Sequence, residues 1–389
     1  MPAPTAPFHL SADQREIRGM AEAFAADRLA PNAVRWDHDK HLPVDVLREA
    51  AELGMAAVYV SEEHGGSGLT RLDAALIFEA LGRGCPTIAA YLSIHNMVSW
   101  MVDRYGSPEQ REQWLPGLCS MESLGAYCLT ESEAGSDAAA LQTRAVADGG
   151  DYVLDGVKQF ISGAGEAGLY IVMARTGEAG PRGISAFLVP AQTPGLSFGR
   201  HEEKLGWNAQ PTRPVLFEQL RLPQDSRLGE EGIGFRIAMA GLDGGRLNIA
   251  ACSLGGAQAA LEQAIAYTKE RRAFGAPLAD LQSVQFQLAD MATELEAARA
   301  LLWQAAAALD AKDPGATRMC AMAKRFATDA ALAVADQALQ LHGGYGCLSE
   351  YGLEKRVRDL RVHRIVEGTN EIMRVIVGRD LLAGGGRTA

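Results

Sequence analysis

Apolar side chains recur at helical spacing in the first and the last third of the chain. In the first third, capping boxes at Ser11–Gln14 and Ser107–Gln110 predict the starts of two helices. In the last third, two apolar stripes predict long helices with a break between them at Pro314-Gly315. The stripes consist of Leu288, Met291, Leu295, Ala298 and Leu302, and of Met319, Met322, Phe326 and Ala330. Long amphipathic helices with short connections predict an antiparallel four-helix bundle.

Short apolar runs punctuated by glycine and proline replace the helical spacing in the middle of the chain. Residues 169–174, 184–190 and 214–222 are predicted strands, and Asp148-Gly149-Gly150 is typical of a hairpin turn. Since no helical pattern separates these runs, we expect an antiparallel β-barrel or sandwich. The chain is therefore predicted to be an α+β protein of three domains. These are an N-terminal helical domain (1–122), a middle β domain (123–232) and a C-terminal helical bundle domain (233–389).

The composition excludes several classes of function. The 389 residues include 48 acidic and 37 basic side chains, and a formal charge of −11 argues against binding nucleic acid or an anionic membrane. Six scattered cysteines and eight histidines form no C-x-x-C or H-E-x-x-H pattern, so we expect no metal site. No apolar window is long enough to insert into a membrane. The first ten residues lack the features of a targeting signal, which predicts a cytoplasmic protein, or a mitochondrial-matrix protein if this is a mature eukaryotic chain.

One literal match to a nucleotide-binding motif fails its context. Residues 163–168 read GAGEAG, but they lead directly into a predicted strand, whereas the dinucleotide fingerprint precedes a helix. The G-x-S-x-G motif typical of many hydrolases is absent from the sequence. Neither a Rossmann-type site nor this hydrolase mechanism is therefore expected.

Glu367 is the most informative residue of the chain. It follows Ile365-Val366 and precedes Gly368, an apolar frame in which burial would raise the pKa of a carboxyl group. A raised pKa near the working pH is the property of a general base. Taken alone, a glutamate at this place more often caps a helix, here the helix predicted through Met373. The choice between these two interpretations depends on the rest of the chain.

Four separated segments together suit a large, flat cofactor that carries phosphates. Residues 127–137 offer hydroxyls and backbone amides, and residues 160–163 place an aromatic ring beside a hydroxyl. Residues 271–275 begin with two arginines, the natural partners of a pyrophosphate. Residues 339–346 contain paired glycines, which permit close contact with a ligand. Each segment alone has an ordinary structural explanation, such as a turn or a helix end.

In this order the segments resemble those of the acyl-CoA dehydrogenase family over essentially the whole chain. The matching motifs lie at residues 62–69, 127–137, 158–165, 202–212, 270–275, 337–346 and 366–374. Within the family, residues 241–261 are most similar to the isobutyryl-CoA dehydrogenase branch. The resemblance implies a helical, a β and a helical-bundle domain, the same layout that the apolar pattern predicts.

The resemblance also implies a reaction, a cofactor and partners. Glu367 would take the α-proton of an acyl-CoA thioester while the β-hydrogen passes as hydride to N5 of FAD. The Glu367 backbone N–H and the flavin ribityl 2′-hydroxyl would bond the thioester oxygen. Conversion of isobutyryl-CoA to methacrylyl-CoA, a step of valine catabolism, is favoured, with electron-transferring flavoprotein as acceptor. The family also implies a homotetramer built as a dimer of dimers.

The family's functional positions can be carried over residue by residue. The implied FAD contacts are Tyr127, Leu129, Thr130, Gly135, Ser136, Phe160, Ile161, Ser162, Arg271, Phe274, Leu281, Gln282, Gln340, Leu341, His342, Gly343, Gly344, Thr369, Asn370 and Glu371. Those from Arg271 to Gly344 would reach the adenine end of a cofactor bound by a neighbouring subunit. The implied acyl-CoA contacts are Ser136, Asp243, Gly244, Gly245, Arg246, Gly368 and Arg379. Arg246 and Arg379 would supply local positive charge for CoA.

Two positions depart from patterns found in the family. Ser132-Glu133 stand where the usual motif has a proline followed by another residue, so this loop is expected to be more mobile. Gly245 stands near the place where isovaleryl-type members carry their glutamate, which leaves Glu367 as the candidate base. Gly244 and Gly245 are expected to leave room for a 2-methyl branch of the substrate.

Several alternatives to this function remain open. 2-Methylbutyryl-CoA and butyryl-CoA are alternative substrates, and an oxygen-using flavin oxidase or monooxygenase is an alternative of the same fold. A flavin- or CoA-binding module without turnover, and a purely structural helical protein, are alternatives from other classes.

Overall fold

The computed structural model describes residues 10–384, in which one helical region precedes a β-sheet along the chain and another follows it. The N-terminal region consists of α1 (Ala12–Phe24), α2 (Ala33–Asp39), α3 (Val44–Glu52), α4 (Arg71–Gly84), α5 (Pro86–Tyr105) and α6 (Pro108–Cys119). The capping boxes predicted at Ser11 and Ser107 are confirmed, and Thr70 with Asp73 forms a third at the start of α4. These caps satisfy backbone N–H groups that a helix start leaves free.

The middle region is an eight-stranded mixed sheet. Its strands are β1 (Gly125–Cys128), β2 (Arg144–Asp148), β3 (Asp151–Ser162), β4 (Leu169–Arg175), β5 (Ile184–Pro190), β6 (Leu196–Phe198), β7 (Thr212–Pro223) and β8 (Arg227–Leu228). They lie in the order β6-β7-β3-β2-β4-β5-β8, with β1 also paired to β4. The predicted hairpin is confirmed, because Asp148 pairs with Asp151 across the two glycines. The expectation of purely antiparallel strands is wrong for β4, which pairs in parallel with both β1 and β2.

The C-terminal region is built on three long helices. They are α7 (Gly234–Glu270), α8 (Gln282–Asp310) and α9 (Ala316–His342), followed by the shorter α10 (Leu353–His363) and α11 (Asn370–Leu382). A two-stranded ribbon, β9 (Arg272–Ala273) and β10 (Ala276–Pro277), connects α7 to α8. The predicted break at Pro314-Gly315 separates α8 from α9, but Met322 is 39% exposed and so lies outside the core. Helical spacing includes the flanks of a stripe, and neighbouring elements decide which flank is covered.

The two helical regions pack directly on each other through α4 and α7. A Cβ atom at Gly82 would lie 2.9 Å from the Cα atom of Cys252, and one at Gly255 would lie 2.8 Å from the backbone nitrogen of Arg83. Only glycine allows two helices to approach this closely. The contact fixes the start of α4 beside the N-terminal half of α7, where the candidate site lies. The expected three-part α+β architecture is confirmed.

Among residues 10–384, no helix is long and apolar enough to cross a membrane. The same residues contain no group of three His, Cys, Asp or Glu side chains that could hold a metal ion.

Candidate active site

Glu367 lies in the turn between α10 and α11, in a backbone conformation that side chains rarely adopt. Its φ angle is +57°, and that of the following Gly368 is +88°. A left-handed conformation at a residue other than glycine costs free energy and persists only where the surroundings hold it. The helix-capping interpretation is wrong, because Thr369 is the N-cap of α11 and its side chain accepts a hydrogen bond from Ile372 N.

The Glu367 carboxylate is buried and short of hydrogen-bond partners. The residue as a whole keeps some exposed surface, but Oε2 is covered and has no partner among residues 10–384. Burial raises the pKa of the Glu367 carboxyl from 4.5 to about 7, although the nearby positive charges of Arg246 and Lys324 act in the opposite direction. A carboxylate with these properties can accept a proton near neutral pH.

Arg246 holds the backbone of Glu367 from α7. Its Nε atom donates to the Glu367 carbonyl at 3.3 Å, and its Nη1 pairs with Asp243 at 2.6 Å. Asp243 in turn accepts from Thr317 Oγ1 at 2.6 Å, so both members of the ion pair are engaged. Arg246 is only 4% exposed, whereas Arg379 on α11 is exposed. Of the two arginines predicted to bind CoA, Arg379 is therefore the one with accessible surface.

Gly244 and Gly245 make room for protein side chains. A Cβ atom at Gly245 would lie 2.8 Å from Cδ of Glu367, and one at Gly244 would lie 2.8 Å from Cζ of Arg71. The space that these glycines are expected to leave for a substrate methyl group adjoins these two side chains, and its use by a substrate stays a prediction. The space beside α7 is filled by the base and by a guanidinium group.

Arg71 and Tyr59 are site residues that the sequence analysis missed. The Arg71 guanidinium lies 3.6 Å from the centre of the Tyr59 ring and 5.0 Å from that of Trp100. The Tyr59 hydroxyl accepts from Asn248 of α7 at 3.2 Å. Burial raises the pKa of Tyr59, the positive charge of Arg71 opposes this shift, and the negative charge of Glu367 adds to it. No local pattern marks these residues, because they approach α7 only through the packing of segments far apart in sequence.

The ends of β1 and β3 meet and carry two aromatic residues of the predicted flavin site. Gln159 N of β3 donates to the Thr130 carbonyl, just after β1, at 2.8 Å. Phe160 follows at a register shift between β3 and β7, with a φ angle of +60° and 63% of its surface exposed. The Tyr127 hydroxyl is buried without a partner among the described residues, and burial and then Glu367 raise its pKa. An exposed ring and an unpaired hydroxyl fit the predicted flavin ring.

The predicted flavin loop that follows is closed on itself. Glu131 and Ala134 exchange two backbone hydrogen bonds of 3.2 Å, with Ser132 and Glu133 exposed at the tip. The Glu131 carboxylate is anchored by the buried Lys158 at 2.7 Å and by two backbone N–H groups. The departure from the family motif therefore falls on the exposed tip and leaves the base of the loop bonded. The other predicted positions here divide into buried Leu129 and Ile161, half-buried Ser162, and exposed Gly135 and Ser136.

The remaining predicted cofactor positions lie at the far end of the bundle. The C-terminal ends of α7 and α9 meet there, where the Tyr267 hydroxyl donates to the His342 carbonyl at 3.3 Å and the two rings stack. Exposed at this end are Arg271, Phe274, Gln282, Gln340, Gly343 and Gly344, whereas Leu281 and Leu341 are half-buried and His342 is buried. Gln340 lies sixteen residues after Lys324 on α9, which corresponds to about 24 Å of helix. The predicted cofactor positions thus form two separate groups.

Four predicted positions, residues 368–371, follow Glu367 directly. Asn370 is 1% exposed, and its side chain bonds Lys324, Thr328 and Asp329. Gly368 accepts a hydrogen bond from Lys324 through its carbonyl, and the Glu371 side chain is 77% exposed. Thr369 caps α11, so its hydroxyl is already engaged. The cofactor contacts of residues 369–371 stay predictions.

Known proteins match this chain along most of its length. The N-terminal domain model of acyl-CoA dehydrogenases matches residues 11–122, the middle domain model 126–220 and the C-terminal domain model 232–382. Mitochondrial isobutyryl-CoA dehydrogenase of Bos taurus is 53% identical over 373 residues, which cover 96% of this chain and 90% of that protein.

Two solved structures share the whole fold. Butyryl-CoA dehydrogenase from Megasphaera elsdenii superposes with a TM-score of 0.93 at 38% identity, covering 96% of this chain and 99% of that one. PigA with FAD and proline gives a TM-score of 0.93 at 33% identity, covering 96% and 98%. Because three domain models and a relative of 53% identity cover nearly all of it, the chain belongs to the acyl-CoA dehydrogenase family.

Proposed function

We propose that this protein is an FAD-dependent dehydrogenase of short branched acyl-CoA thioesters, with isobutyryl-CoA as its substrate and methacrylyl-CoA as the product. The observation that carries the proposal is the Glu367 carboxylate. It is buried, its Oε2 has no partner among the described residues, and its pKa is about 7. Its negative charge also acts on the buried hydroxyl of Tyr127, a predicted flavin contact.

Residues of two subunits would hold the cofactor. When bound, FAD supplies the acceptor for the hydride that leaves the β-carbon. Tyr127, Thr130 and Phe160–Ser162 would contact its ring system in one subunit. The exposed group around Arg271 and Gln340–Gly344, about 24 Å along α9 from the base, would contact the adenine end in another. This division supports a homo-oligomer, and a tetramer is proposed from the family. The structure of PigA with FAD supports the choice of cofactor.

Glu367 would perform the proton transfer. Its carboxylate takes the α-proton of the thioester, and its own backbone N–H would bond the thioester oxygen, which stabilises the negative charge that develops there. The burial that raises the pKa of Glu367 favours the neutral acid that results. Arg246 keeps the peptide in place through the Glu367 carbonyl. Closely packed side chains around the carboxylate would keep water from the reacting carbons.

The choice of isobutyryl-CoA rests on similarity. The Bos taurus relative of 53% identity is an isobutyryl-CoA dehydrogenase, and the Megasphaera elsdenii structure of 38% identity is a butyryl-CoA dehydrogenase. Butyryl-CoA is therefore the principal alternative substrate, followed by 2-methylbutyryl-CoA. Electron-transferring flavoprotein is proposed as the acceptor of the electrons.

Anaerobic bleaching of the flavin absorbance by a panel of short acyl-CoA thioesters tests the proposal. Isobutyryl-CoA should bleach the flavin fastest, and Glu367→Gln should bind FAD yet lose bleaching by about three orders of magnitude or more. Glu294→Gln, an exposed carboxylate on α8, is the matched control and should behave like the wild type. Retained bleaching in Glu367→Gln would place the base elsewhere.

Further measurements separate the alternative functions. Peroxide formation without reduction of electron-transferring flavoprotein would identify an oxidase. Bound FAD that no acyl-CoA bleaches would identify a binding module, and a colourless protein would reject the cofactor altogether.

A further inference from the structure

Lys324 is a buried lysine to which the proposed reaction assigns no role. It lies on α9 with 0% of its surface exposed. Its ammonium group donates to the Gly368 carbonyl at 2.8 Å and to Asn370 Oδ1 at 3.0 Å. The Asn370 amide group in turn donates to Thr328 Oγ1 at 3.0 Å and to Asp329 Oδ1 at 2.9 Å. These bonds tie α9 to the peptide immediately after the candidate base.

Two cations therefore bond consecutive carbonyls of the same turn from two different helices. Arg246 of α7 bonds the carbonyl of Glu367, and Lys324 of α9 bonds that of Gly368. Both residues of this turn have positive φ angles, +57° and +88°. A left-handed pair that includes a glutamate needs outside support to persist. The bond from Lys324 provides that support on the side of α9.

We infer that Lys324 is a positioning residue for Glu367, which fixes the Glu367-Gly368 turn and stabilises the ionised form of the base through its positive charge. The inference rests on the proposed function, because it assigns Lys324 a role only if Glu367 is the base. Burying a lysine costs free energy unless its charge is paired or hydrogen-bonded, and Lys324 has two hydrogen-bond acceptors and a carboxylate nearby.

Charged groups on four elements face Lys324. Glu367 of the turn, Asp329 of α9 and Glu371 of α11 favour its charged form, whereas Arg246 of α7 disfavours it. Burial outweighs the carboxylates and lowers the pKa of Lys324 to about 7. His363 of α10 faces the same interior, and burial lowers its pKa to about 3, so it stays neutral. Lys324 and Glu367 each act on the pKa of the other, so a change at Lys324 should reach the carboxylate.

Three substitutions at Lys324 separate its charge from its hydrogen bond. Lys324→Met removes both, Lys324→Gln keeps a donor without charge, and Lys324→Arg keeps a permanent charge. The readout is the rate at which the α-hydrogens of acetyl-CoA exchange with deuterium from solvent, followed by mass spectrometry against pH. Acetyl-CoA has no β-carbon and cannot transfer hydride, so the exchange reports proton abstraction alone.

The substitutions should shift the pH profile of exchange in opposite directions. Without the charge, the carboxylate is less stable, so the midpoint in Lys324→Met and Lys324→Gln should rise by about 1 pH unit. With a permanent charge, the midpoint in Lys324→Arg should fall below that of the wild type. Lys324→Gln should exchange faster than Lys324→Met at high pH, because it keeps a donor for Gly368. Lys355→Met is the matched control, since Lys355 is a buried lysine paired with Asp359 on α10.

The outcomes distinguish this inference from the proposed function. The inference would be overturned if the three Lys324 variants kept the wild-type midpoint of the exchange profile and their exchange rates followed their thermal stability. Lys324 would then have a purely structural role. The same shift in Lys355→Met would also overturn it. If wild type and Glu367→Gln exchange at the same rate, the base is misassigned and the proposed function fails as well. If wild type exchanges and Glu367→Gln does not, the proposed function stands whatever the Lys324 variants show.

Discussion

Replacing Gly245 by alanine should displace the base without unfolding the protein. Gly245 lies inside α7, and a Cβ atom there would stand 2.8 Å from Cδ of Glu367 and closer still to Oε2. These atoms are the far end of a flexible side chain, so the carboxylate can move while α7 stays in place. Restoring an ordinary contact of about 3.4 Å requires a shift of about 0.6 Å for Cδ and about 1 Å for the oxygen.

Gly245→Ala should change the rate of the reaction much more than the stability of the protein. A misplacement of about 1 Å costs on the order of 100-fold in rate, which corresponds to about 2.7 kcal/mol of transition-state stabilisation. Alanine is more favourable than glycine inside a helix by up to about 1 kcal/mol, which offsets the cost of moving the carboxylate. We therefore expect the free energy of unfolding to change by no more than about 1 kcal/mol.

The assay is the rate constant of flavin bleaching by isobutyryl-CoA under anaerobic conditions, measured together with urea denaturation. Gly19→Ala is the matched control, because Gly19 lies inside α1 and an added Cβ atom there has nothing within 4 Å. The control should gain stability and keep the wild-type rate. Wild-type bleaching by Gly245→Ala would show that the carboxylate does not need this position, and the reasoning would be refuted.

Three further substitutions test other parts of the structure. Glu367→Gln should raise the free energy of unfolding at pH 8 by up to about 3 kcal/mol. In the folded wild type the carboxyl keeps its proton up to a pKa of about 7, whereas in the unfolded chain it loses the proton near pH 4.5. The free energy of unfolding of the wild type therefore falls as the pH rises between these two values. The gain in urea denaturation should vanish near pH 4, and a constant difference would contradict the raised pKa. Glu131→Gln leaves the buried Lys158 without its carboxylate and should lower the free energy of unfolding, measured by thermal denaturation, by about 3–5 kcal/mol. A decrease below about 1 kcal/mol would show that the ion pair is solvated. Leu302→Ala empties a fully buried position of α8 and should cost about 2–5 kcal/mol, whereas the same change at the exposed Leu382 should cost little.

Local elements were predictable because their signals are local. A capping box needs residues three apart, and both boxes predicted from sequence form as expected. The Asp148-Gly149-Gly150 hairpin depends on glycines that accept positive φ angles, which both of them have. The direction of β1 depends on where the chain returns to the sheet after a loop and a hairpin, and no residue of β1 specifies it. The exposure of Met322 likewise depends on which helices cover α9.

The sequence by itself determined that Glu367 stands in an apolar, glycine-bounded frame and that the chain carries the motifs of its family. Only the tertiary structure decided the burial, the pKa and the charged neighbours of that carboxylate. Its raised pKa comes from burial among segments far apart in sequence, and Arg246 and Lys324 reach its turn from two different helices. Gly245 showed no local sign that a Cβ atom at this position would collide with the Glu367 carboxylate. Electrostatics and close packing depend on distances through space, and a sequence pattern records only distances along the chain.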